Sequence, residues 1–344
     1  MHVPRASLAF LFAASYAYAL PKVVLFSTGG TISGKHDPDR GGYLPASTAE
    51  ELVAAVPKLK ELATFQVEKI TAINSADMTV AVWRQLASRL QQVLAGPSVT
   101  GAIIMHGTNT VEETAYFLDL VLSTSKPVVL VAAQRPASDP YSDGPLNLLR
   151  AVEVAISPAA RDKGTLVVLN EQIHAARDVT KHHTSRVETF HSFEFGPIGI
   201  ADRLGVQFHR APLLRQTIPL APETVLPRVG IVVSYAGVDD ELLRALLAGK
   251  TQGVVIAGFG AGTVAAAMVA AIKEARAKGL PVVITGAPTG RVAPASASPG
   301  SPLEMRRIGC IFANNLTPQK ARILLMLAMT RTRDSAELQQ YFNK

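Results

Sequence analysis

Short apolar runs rich in β-branched residues alternate with longer amphipathic segments along the first part of the chain. The apolar runs cover residues 23–26, 101–105, 128–132 and 166–169, and helical periodicity occurs at 78–96 and 144–156. Runs of this kind have the length of strands, while apolar residues spaced by three and four indicate helices. Because the runs are apolar almost without interruption, both faces of their sheet must be covered. The pattern therefore predicts a mainly parallel sheet with helices on both faces.

A proline-rich stretch separates this pattern from a second one. Residues 209–230 lack an amphipathic period, as is typical of an interdomain linker. Beyond it, strand-like runs return at 228–235, 253–258 and 280–286, with helical patterns at 239–249 and 265–279. We therefore predict an α/β protein of two domains. The boundaries are a larger N-terminal domain at 20–212, a linker at 213–227 and a smaller C-terminal α/β domain at 228–344.

The first residues have the pattern of a secretory signal. Arg5 precedes an apolar core at 8–14, and Ala17-Tyr18-Ala19 supplies a small-x-small cleavage site. The core is short compared with the roughly 20 residues of a membrane-spanning helix. We predict a signal peptide over residues 1–19, with a membrane-tethering anchor as the alternative, and no membrane contact once the peptide is removed.

Composition excludes several classes of protein. Of the 344 residues, 48% are hydrophobic and 18% are charged, which is typical of a folded globular chain and not of a disordered one. The net charge is +7, but the lysines and arginines are scattered without a basic run, so we expect no nucleic-acid partner. The one cysteine, Cys310, lies in an apolar run and cannot form an internal disulfide, so we expect a buried structural thiol.

The glycine-rich segment after the first strand has two possible interpretations. Its residues Gly29 to Lys35 satisfy G-x-x-x-x-G-K, the spacing of a phosphate-binding loop. Such a loop needs a following Ser or Thr and a helix, but here His36 comes next, followed by prolines and glycines that do not open a helix. The alternative is that Thr28 displays a hydroxyl for chemistry at the strand end, the edge where open α/β sheets bind ligands.

A similar turn follows the second strand. Thr110 and Glu113 have the T-x-x-E spacing of a capping box, so we predict that a helix begins there. Thr108 and Asn109 would then lie on a strand-to-helix turn, at the same edge of the sheet as Thr28. Two hydroxyl groups and an amide are therefore expected to lie close together.

A third polar stretch contains a lysine that could act as a general base. Lys181 lies in a polar loop soon after another strand. A threonine hydroxyl is a weak nucleophile until a base takes its proton, and lysine can be that base if burial lowers its pKa. The neighbouring His182 and His183 have no carboxylate spaced as a metal partner, so we expect no metal there.

These motifs resemble those of the bacterial type II L-asparaginases and glutaminase-asparaginases. The matches are TGGTI at 28–32, HGTNTVEETA at 106–115, RP at 135–136, DGPLN at 143–147, ARDVTK at 176–181 and LTPQKAR at 316–322. They run in order over almost the entire mature chain. The resemblance implies that a threonine nucleophile hydrolyses a small-molecule amide, L-asparagine, to L-aspartate and ammonia. It also implies no cofactor, a periplasmic or secreted location, and a homotetramer whose active sites are shared between the large domain of one subunit and the small domain of a neighbour.

The resemblance assigns a role to each matching residue. Thr28 matches the first nucleophilic threonine, and Tyr43 matches the loop tyrosine that closes the site and helps to activate it. Ser75 matches the serine that holds the substrate α-carboxylate. Thr108 and Lys181 match the second threonine and its lysine base.

Four positions depart from the family pattern, all at the end of the site that holds the substrate ammonium. Asn109 replaces an aspartate, and Ala76 stands where glutamine is usual. Ala261 replaces an asparagine of the small domain, and only Glu304 loosely matches the glutamate lent by a neighbouring subunit. We therefore expect slow hydrolysis of asparagine. An amidase for amides without an α-ammonium and a catalytically inactive binding protein stay open as alternatives.

Overall fold

Two separate sheets with their covering helices divide the protein into a larger N-terminal and a smaller C-terminal part. The computed structural model describes residues 19–39, 41–293 and 297–344, so all of the expected signal peptide except Ala19 lies outside the described residues. The predicted α/β fold of two domains is confirmed. The domain boundaries proposed from the sequence stay predictions.

The large domain contains strands β1 to β12 and helices α1 to α5. Its strands are β1 (Lys22–Gly29), β2 (Gly34–Asp37), β3 (Gly42–Pro45), β4 (Thr64–Ile73), β5 (Val99–Met105), β6 (Val128–Val131), β7 (Thr165–Leu169), β8 (Gln172–Ala175), β9 (Thr180–Lys181), β10 (Phe190–His191), β11 (Gly199–Asp202) and β12 (Gly205–Phe208). Its helices are α1 (Ala49–Ala54), α2 (Leu59–Leu62), α3 (Val80–Ala95), α4 (Val111–Val121) and α5 (Gly144–Ile156). Short 3-10 turns lie at Thr31–Ser33, Ser75–Asp77 and Pro158–Ala160.

The main sheet has the strand order β12-β11-β8-β7-β6-β5-β1-β4. Strands β4, β1, β5, β6 and β7 are parallel, and the last three strands at the opposite edge run antiparallel. The four apolar runs of the sequence correspond to β1, β5, β6 and β7, and the two helical patterns to α3 and α5. The pattern does not predict β4, because this edge strand is only partly buried and mixes polar with apolar residues.

Each face of the main sheet has its own apolar core. Helices α3 and α4 cover one face, where Trp83 stacks on Phe117 with ring centroids 5.2 Å apart. Helices α1, α2 and α5 cover the other face. Strands buried on both sides explain why their sequences are continuously apolar.

The small domain contains a parallel sheet of four strands in the order β13-β14-β15-β16. Its elements are β13 (Val229–Val233), α6 (Glu241–Ala248), β14 (Gly253–Ala257), a 3-10 turn (Ala266–Met268), α7 (Val269–Ala277), β15 (Val282–Thr285), α8 (Pro302–Arg307), β16 (Ile311–Phe312), α9 (Pro318–Ala328) and α10 (Ser335–Phe342). Helix α9 is buried on nearly all sides, between this sheet and α4 of the large domain. One apolar cluster therefore runs through both domains. None of the described helices is long and apolar enough to cross a membrane.

The glycine turn after β1 does not open a helix. A 3-10 turn and the β2–β3 hairpin follow it, so the geometry of a phosphate-binding loop is lacking, in agreement with the sequence argument. Gly29 and Gly30 have φ values of 102° and 86°, which side-chain-bearing residues rarely adopt. A Cβ on Gly30 would lie 2.3 Å from Cα of Gly107. The turns that follow β1 and β5 are therefore in backbone contact.

A chain of buried hydrogen bonds anchors the turn after β5. His106 Nδ1 lies 2.8 Å from the carbonyl oxygen of Gly107, to which it must donate. Its Nε2 is then free to accept from the Thr114 hydroxyl at 2.9 Å, and that hydroxyl accepts from Trp83 Nε1 at 2.8 Å. Burial lowers the pKa of His106 from 6.5 to about 4, which keeps the ring neutral.

We predict that the free energy of unfolding falls as the pH is lowered from about 6.5 to about 4. The unfolded chain binds a proton at the ordinary histidine pKa, whereas the buried neutral ring of His106 resists it, so acid favours unfolding by an amount on the order of 3 kcal/mol. His174, whose pKa burial also lowers to about 4, acts in the same direction. Urea unfolding at several pH values measures the slope. His106→Gln should flatten it, whereas the same change at the exposed His209 should not; equal slopes in all three proteins would contradict the assignment.

Candidate active site

The motif residues meet at the carboxyl ends of three adjacent parallel strands, β5, β1 and β4. The segments that follow these strands line a cavity of about 80 Å³. Its lining residues are Gly30, Thr31, Gly34, Tyr43, Leu44, Pro45, Asn74, Ser75, Thr108 and Asn109. Larger clefts of about 950 Å³ beside Cys310 and about 360 Å³ along α3 contain none of the predicted catalytic residues. The small cavity is therefore the candidate active site.

The two threonines of the TGGT motif have different surroundings. Thr28 is only 2% exposed, and its hydroxyl donates to the carbonyl oxygen of Met105 at 2.9 Å, inside the sheet. Thr31 lies beyond the glycine turn, is partly exposed and lines the cavity. The structure thus places the predicted Thr28 among the buried residues and brings Thr31 to the site, although the sequence argument passed it over. The signal was present, since the motif ends in a second threonine directly after the chain leaves the strand.

Ser75 is held between the turns at the ends of β4 and β5. Its hydroxyl accepts the backbone N–H of Asn109 at 3.1 Å, and its carbonyl accepts from the Thr110 hydroxyl at 2.7 Å. A Cβ on Gly107 would lie 2.5 Å from Ser75 Oγ, so only glycine allows this approach. Ser75 is 3% exposed. Its position is therefore determined by contacts on several sides.

The capping box predicted for α4 is wrong, although the helix does begin at the expected place. Thr110 is the residue before the helix, but its side chain caps no N–H group. Its hydroxyl donates to the carbonyl of Ser75 instead. Because the Thr110 side chain points toward Ser75, its hydroxyl does not accept from the N–H groups of the first helical turn.

Lys181 reaches the cavity from β9 and contacts Thr108. Its Nζ lies 2.7 Å from Oγ1 of Thr108, across 73 residues of sequence. Burial lowers the pKa of Lys181 below its usual value of 10.5, because the ammonium form is poorly solvated there. The predicted threonine and lysine are thus brought together, and the lysine is shifted toward its neutral, basic form.

Tyr43 lies on the β2–β3 hairpin at the mouth of the cavity. It is 53% exposed and pairs with His36 across the hairpin, with the rings edge-to-face at 5.5 Å. The hairpin pairs with no other strand in the described part of the chain. Tyr43 therefore lines the cavity from a hairpin outside the main sheet.

The four positions that depart from the family pattern lie in different places. The side chain of Asn109 lines the cavity and donates to Asn74 Oδ1 at 3.3 Å. Ala76 is exposed outside the cavity lining, and Ala261 is exposed in a loop of the small domain. The Glu304 carboxylate accepts from Gly300 N at 2.8 Å and from Lys273 Nζ at 2.9 Å, so its own chain already occupies it.

The lining of the cavity is polar but carries no carboxylate. Its polar groups are hydroxyls, amides and backbone atoms, and the nearest charged side chain contacting them is Lys181. A cationic group in the cavity meets only neutral acceptors among these lining residues. The electrostatics therefore favour the neutral or anionic parts of a ligand.

The other candidates from the sequence lie outside this cavity. His182 contacts the rings of His191 and Phe193, and within the described ranges no three His, Cys, Asp or Glu side chains are arranged to hold a metal ion. Cys310 is buried, and burial raises the pKa of its thiol to about 12. The thiol is therefore unreactive and structural, as predicted.

Comparisons with known proteins agree over almost the whole chain. The family described as "Asparaginase, N-terminal" matches residues 22–214, and "Glutaminase/Asparaginase C-terminal domain" matches residues 228–342. A probable periplasmic L-asparaginase of Haemophilus influenzae is 39% identical, covering 99% of both chains. L-asparaginase 2 of Escherichia coli is 37% identical over 95% of this chain and 94% of its own length. The crystal structure of a probable cytoplasmic L-asparaginase from Campylobacter jejuni superposes with a TM-score of 0.86 at 36% identity, covering 94% of this chain and 99% of that one. This chain therefore belongs to the asparaginase family.

Proposed function

We propose that this protein is an amidohydrolase that hydrolyses L-asparagine to L-aspartate and ammonia. The observation that carries the proposal is the 2.7 Å contact between Lys181 Nζ and Thr108 Oγ1 beside a cavity that is also lined by Thr31 and Ser75. It places a hydroxyl and a base of lowered pKa at one strand edge. The relatives named L-asparaginases support the choice of substrate.

We propose Thr31 as the nucleophile in place of Thr28. Its hydroxyl would attack the side-chain amide carbon, ammonia would leave, and water would hydrolyse the resulting ester. Thr31 is supported as the nucleophile because it lines the cavity, whereas the hydroxyl of Thr28 donates to the carbonyl oxygen of Met105 inside the sheet. Neutral Lys181 would take up a proton through Thr108, whose hydroxyl it contacts.

Ser75 and Tyr43 would bind and enclose the substrate. The Ser75 hydroxyl already accepts one N–H bond and keeps its own proton to donate, which suits the α-carboxylate of an amino acid. Tyr43 would close over Thr31 from the hairpin. Its exposure of 53% supports a side chain that moves inward on binding.

A second function is favoured by the lack of a carboxylate in the cavity lining. An α-ammonium group would meet the neutral side chain of Asn109 and no charge of opposite sign. Ala76 offers no polar side chain either. Hydrolysis of amides without an α-ammonium would avoid this cost, so a relaxed amidase is the alternative, and slow turnover of asparagine is expected.

We further propose a homotetramer and an exported protein. The exposure of Ala261 on the small domain, away from its own subunit's cavity, is consistent with a site shared between subunits. Val233, Tyr235 and Phe259 expose 43–55% of their surface at the carboxyl edge of the small-domain sheet, which supports an interface there. The relatives include one protein named as periplasmic and one named as cytoplasmic, so their names do not decide the location. The N-terminal signal pattern of this chain supports a periplasmic or secreted location.

Replacing each threonine of the TGGT motif with valine distinguishes the two nucleophile candidates. Thr31→Val should reduce ammonia release from L-asparagine by about 10³-fold or more, because a nucleophile has no substitute. Thr28→Val removes one buried hydrogen bond and should cost only about 1 kcal/mol of stability. Ammonia release and thermal unfolding are measured on both proteins. The reverse pattern, with activity lost only in Thr28→Val, would restore Thr28 as nucleophile.

The rate at saturating L-asparagine should rise with pH and level off above the pKa of Lys181. A base acts in its unprotonated form, and burial places this pKa below 10.5. Lys181→Met should lower kcat by about 10²-fold or more and abolish the rising limb. Lys278→Met, at an exposed lysine paired with Glu274, is the matched control and should leave the profile unchanged. An effect on KM alone would make Lys181 a binding residue.

Asn109→Asp should raise kcat/KM for L-asparagine by about 10-fold or more, since a charged hydrogen bond is worth about 1.5–3 kcal/mol. The new carboxylate would pair with the substrate ammonium. It would also raise the pKa of nearby Lys181 and make it a less available base, so a short aliphatic amide without an α-ammonium should gain nothing. Rates for both substrates are compared in the variant and the parent. An equal gain for both would show that position 109 serves the lysine instead of the ammonium.

A further inference from the structure

Lys320 is a buried cation with no place in the chemistry described so far. It lies in the first turn of α9, in the small domain, and is 1% exposed. Its Nζ donates to the carbonyl oxygen of Arg177 at 2.9 Å and also to that of Val179. Burying an ammonium group costs several kcal/mol unless the group is well paired. The two bonds to carbonyl oxygens offset this cost and so allow Lys320 to be buried here.

The two carbonyls belong to the segment that leads into Lys181. Residues 176–179 connect β8 to β9, and β9 consists of Thr180 and Lys181 alone. Among the described strands, β9 pairs with the two residues of β10 alone, outside the main sheet. A ladder this short gives little rigidity. The segment also bonds to the main sheet, through Ala176 N and the carbonyl oxygen of Thr165 at 3.1 Å. The two bonds from Lys320 therefore add support from the small domain to the backbone that carries Lys181.

Further contacts hold the same segment against the small domain. The Arg177 guanidinium donates to Asn315 Oδ1 at 2.9 Å. The Lys320 ammonium also lies 5.9 Å from the centre of the Tyr116 ring, on α4 of the large domain. Residues of both domains thus surround the contact, and Lys320 bonds two peptide carbonyls of the segment.

We propose that Lys320 is a positioning residue, which holds the 176–179 segment so that Lys181 keeps its contact with Thr108. The inference rests on the proposed function of Lys181 as the base. A general base acts only within hydrogen-bond distance of its partner, so a shift of the segment would be felt in kcat before it is felt in substrate binding.

The contact does not depend on the charge of Lys320. Burial lowers its pKa to about 8, against the opposing effect of Glu112, Glu113 and Asp178, while Arg177 adds to the lowering. A neutral amine keeps two N–H bonds, which equals the number of carbonyls that accept from it. Lys320 should therefore hold the segment on both sides of its pKa, as a structural donor and not as a pH switch.

The test is a double-mutant cycle on the full-length protein with L-asparagine. Lys320→Met keeps the length of the side chain but removes its donors, and should lower kcat by about 10-fold or more while changing KM by less than about 3-fold. In the Lys181→Met background the same change should have no further effect, because the group that it positions is gone. Arg322→Met is the matched control. Arg322 lies on the same helix and donates to Val229 O at 3.0 Å within the small domain, so kcat should be retained.

The outcomes separate this inference from the proposed function. If Lys181→Met lowers kcat but the Lys320→Met loss persists undiminished in the double mutant, Lys320 acts elsewhere and the inference fails alone. If Lys181→Met leaves kcat unchanged, the proposed base fails and the role of Lys320 fails with it. Should Lys320→Met not fold, Asn315→Ala loosens the same segment through Arg177 and should show the same non-additive loss with Lys181→Met; additive losses would overturn the inference.

Discussion

The contact between the backbones of Gly30 and Gly107 is the constraint on which the candidate site depends. Two parallel strands end side by side, and their turns approach so closely that a single methyl group on Gly30 would lie 2.3 Å from the neighbouring Cα. Only residues without a Cβ permit this. The approach brings the segments that carry Thr31 and Thr108 into one small cavity. Without it, the hydroxyls would be kept apart by the side chains between them.

Polar contacts from other parts of the chain then determine the position of each functional group. Ser75 is bonded on two sides by the segment after β5, and the turn itself is anchored by the buried His106 chain. The segment before Lys181 is bonded both to the main sheet, through Ala176, and to Lys320 of the small domain. These contacts hold distant segments together for one physical reason. Buried donors and acceptors must be paired, and few alternative pairings are available to them.

The charge balance of the cavity decides what the site accepts. A lysine of lowered pKa contacts a threonine hydroxyl beside the cavity, whereas the lining offers no negative charge for an α-ammonium. The carboxylate of Glu304 is paired with Lys273 and accepts from the backbone N–H of Gly300.

The sequence by itself determined the α/β class, the two domains, four strands and two helices of the large domain, and the strand edge where the candidate site lies. These features follow from continuous apolar runs and glycine turns, which are local signals. It also predicted the pairing of Thr108 with Lys181 through the resemblance of its motifs. Only the tertiary structure distinguished Thr31 from Thr28, redirected the Thr110 hydroxyl from its helix to Ser75 and revealed Lys320 behind Lys181. Each of these depends on which partner a polar group finds across 35 to 143 residues of chain. Such a choice is made by packing and by the need to satisfy buried hydrogen bonds, and no local pattern encodes it.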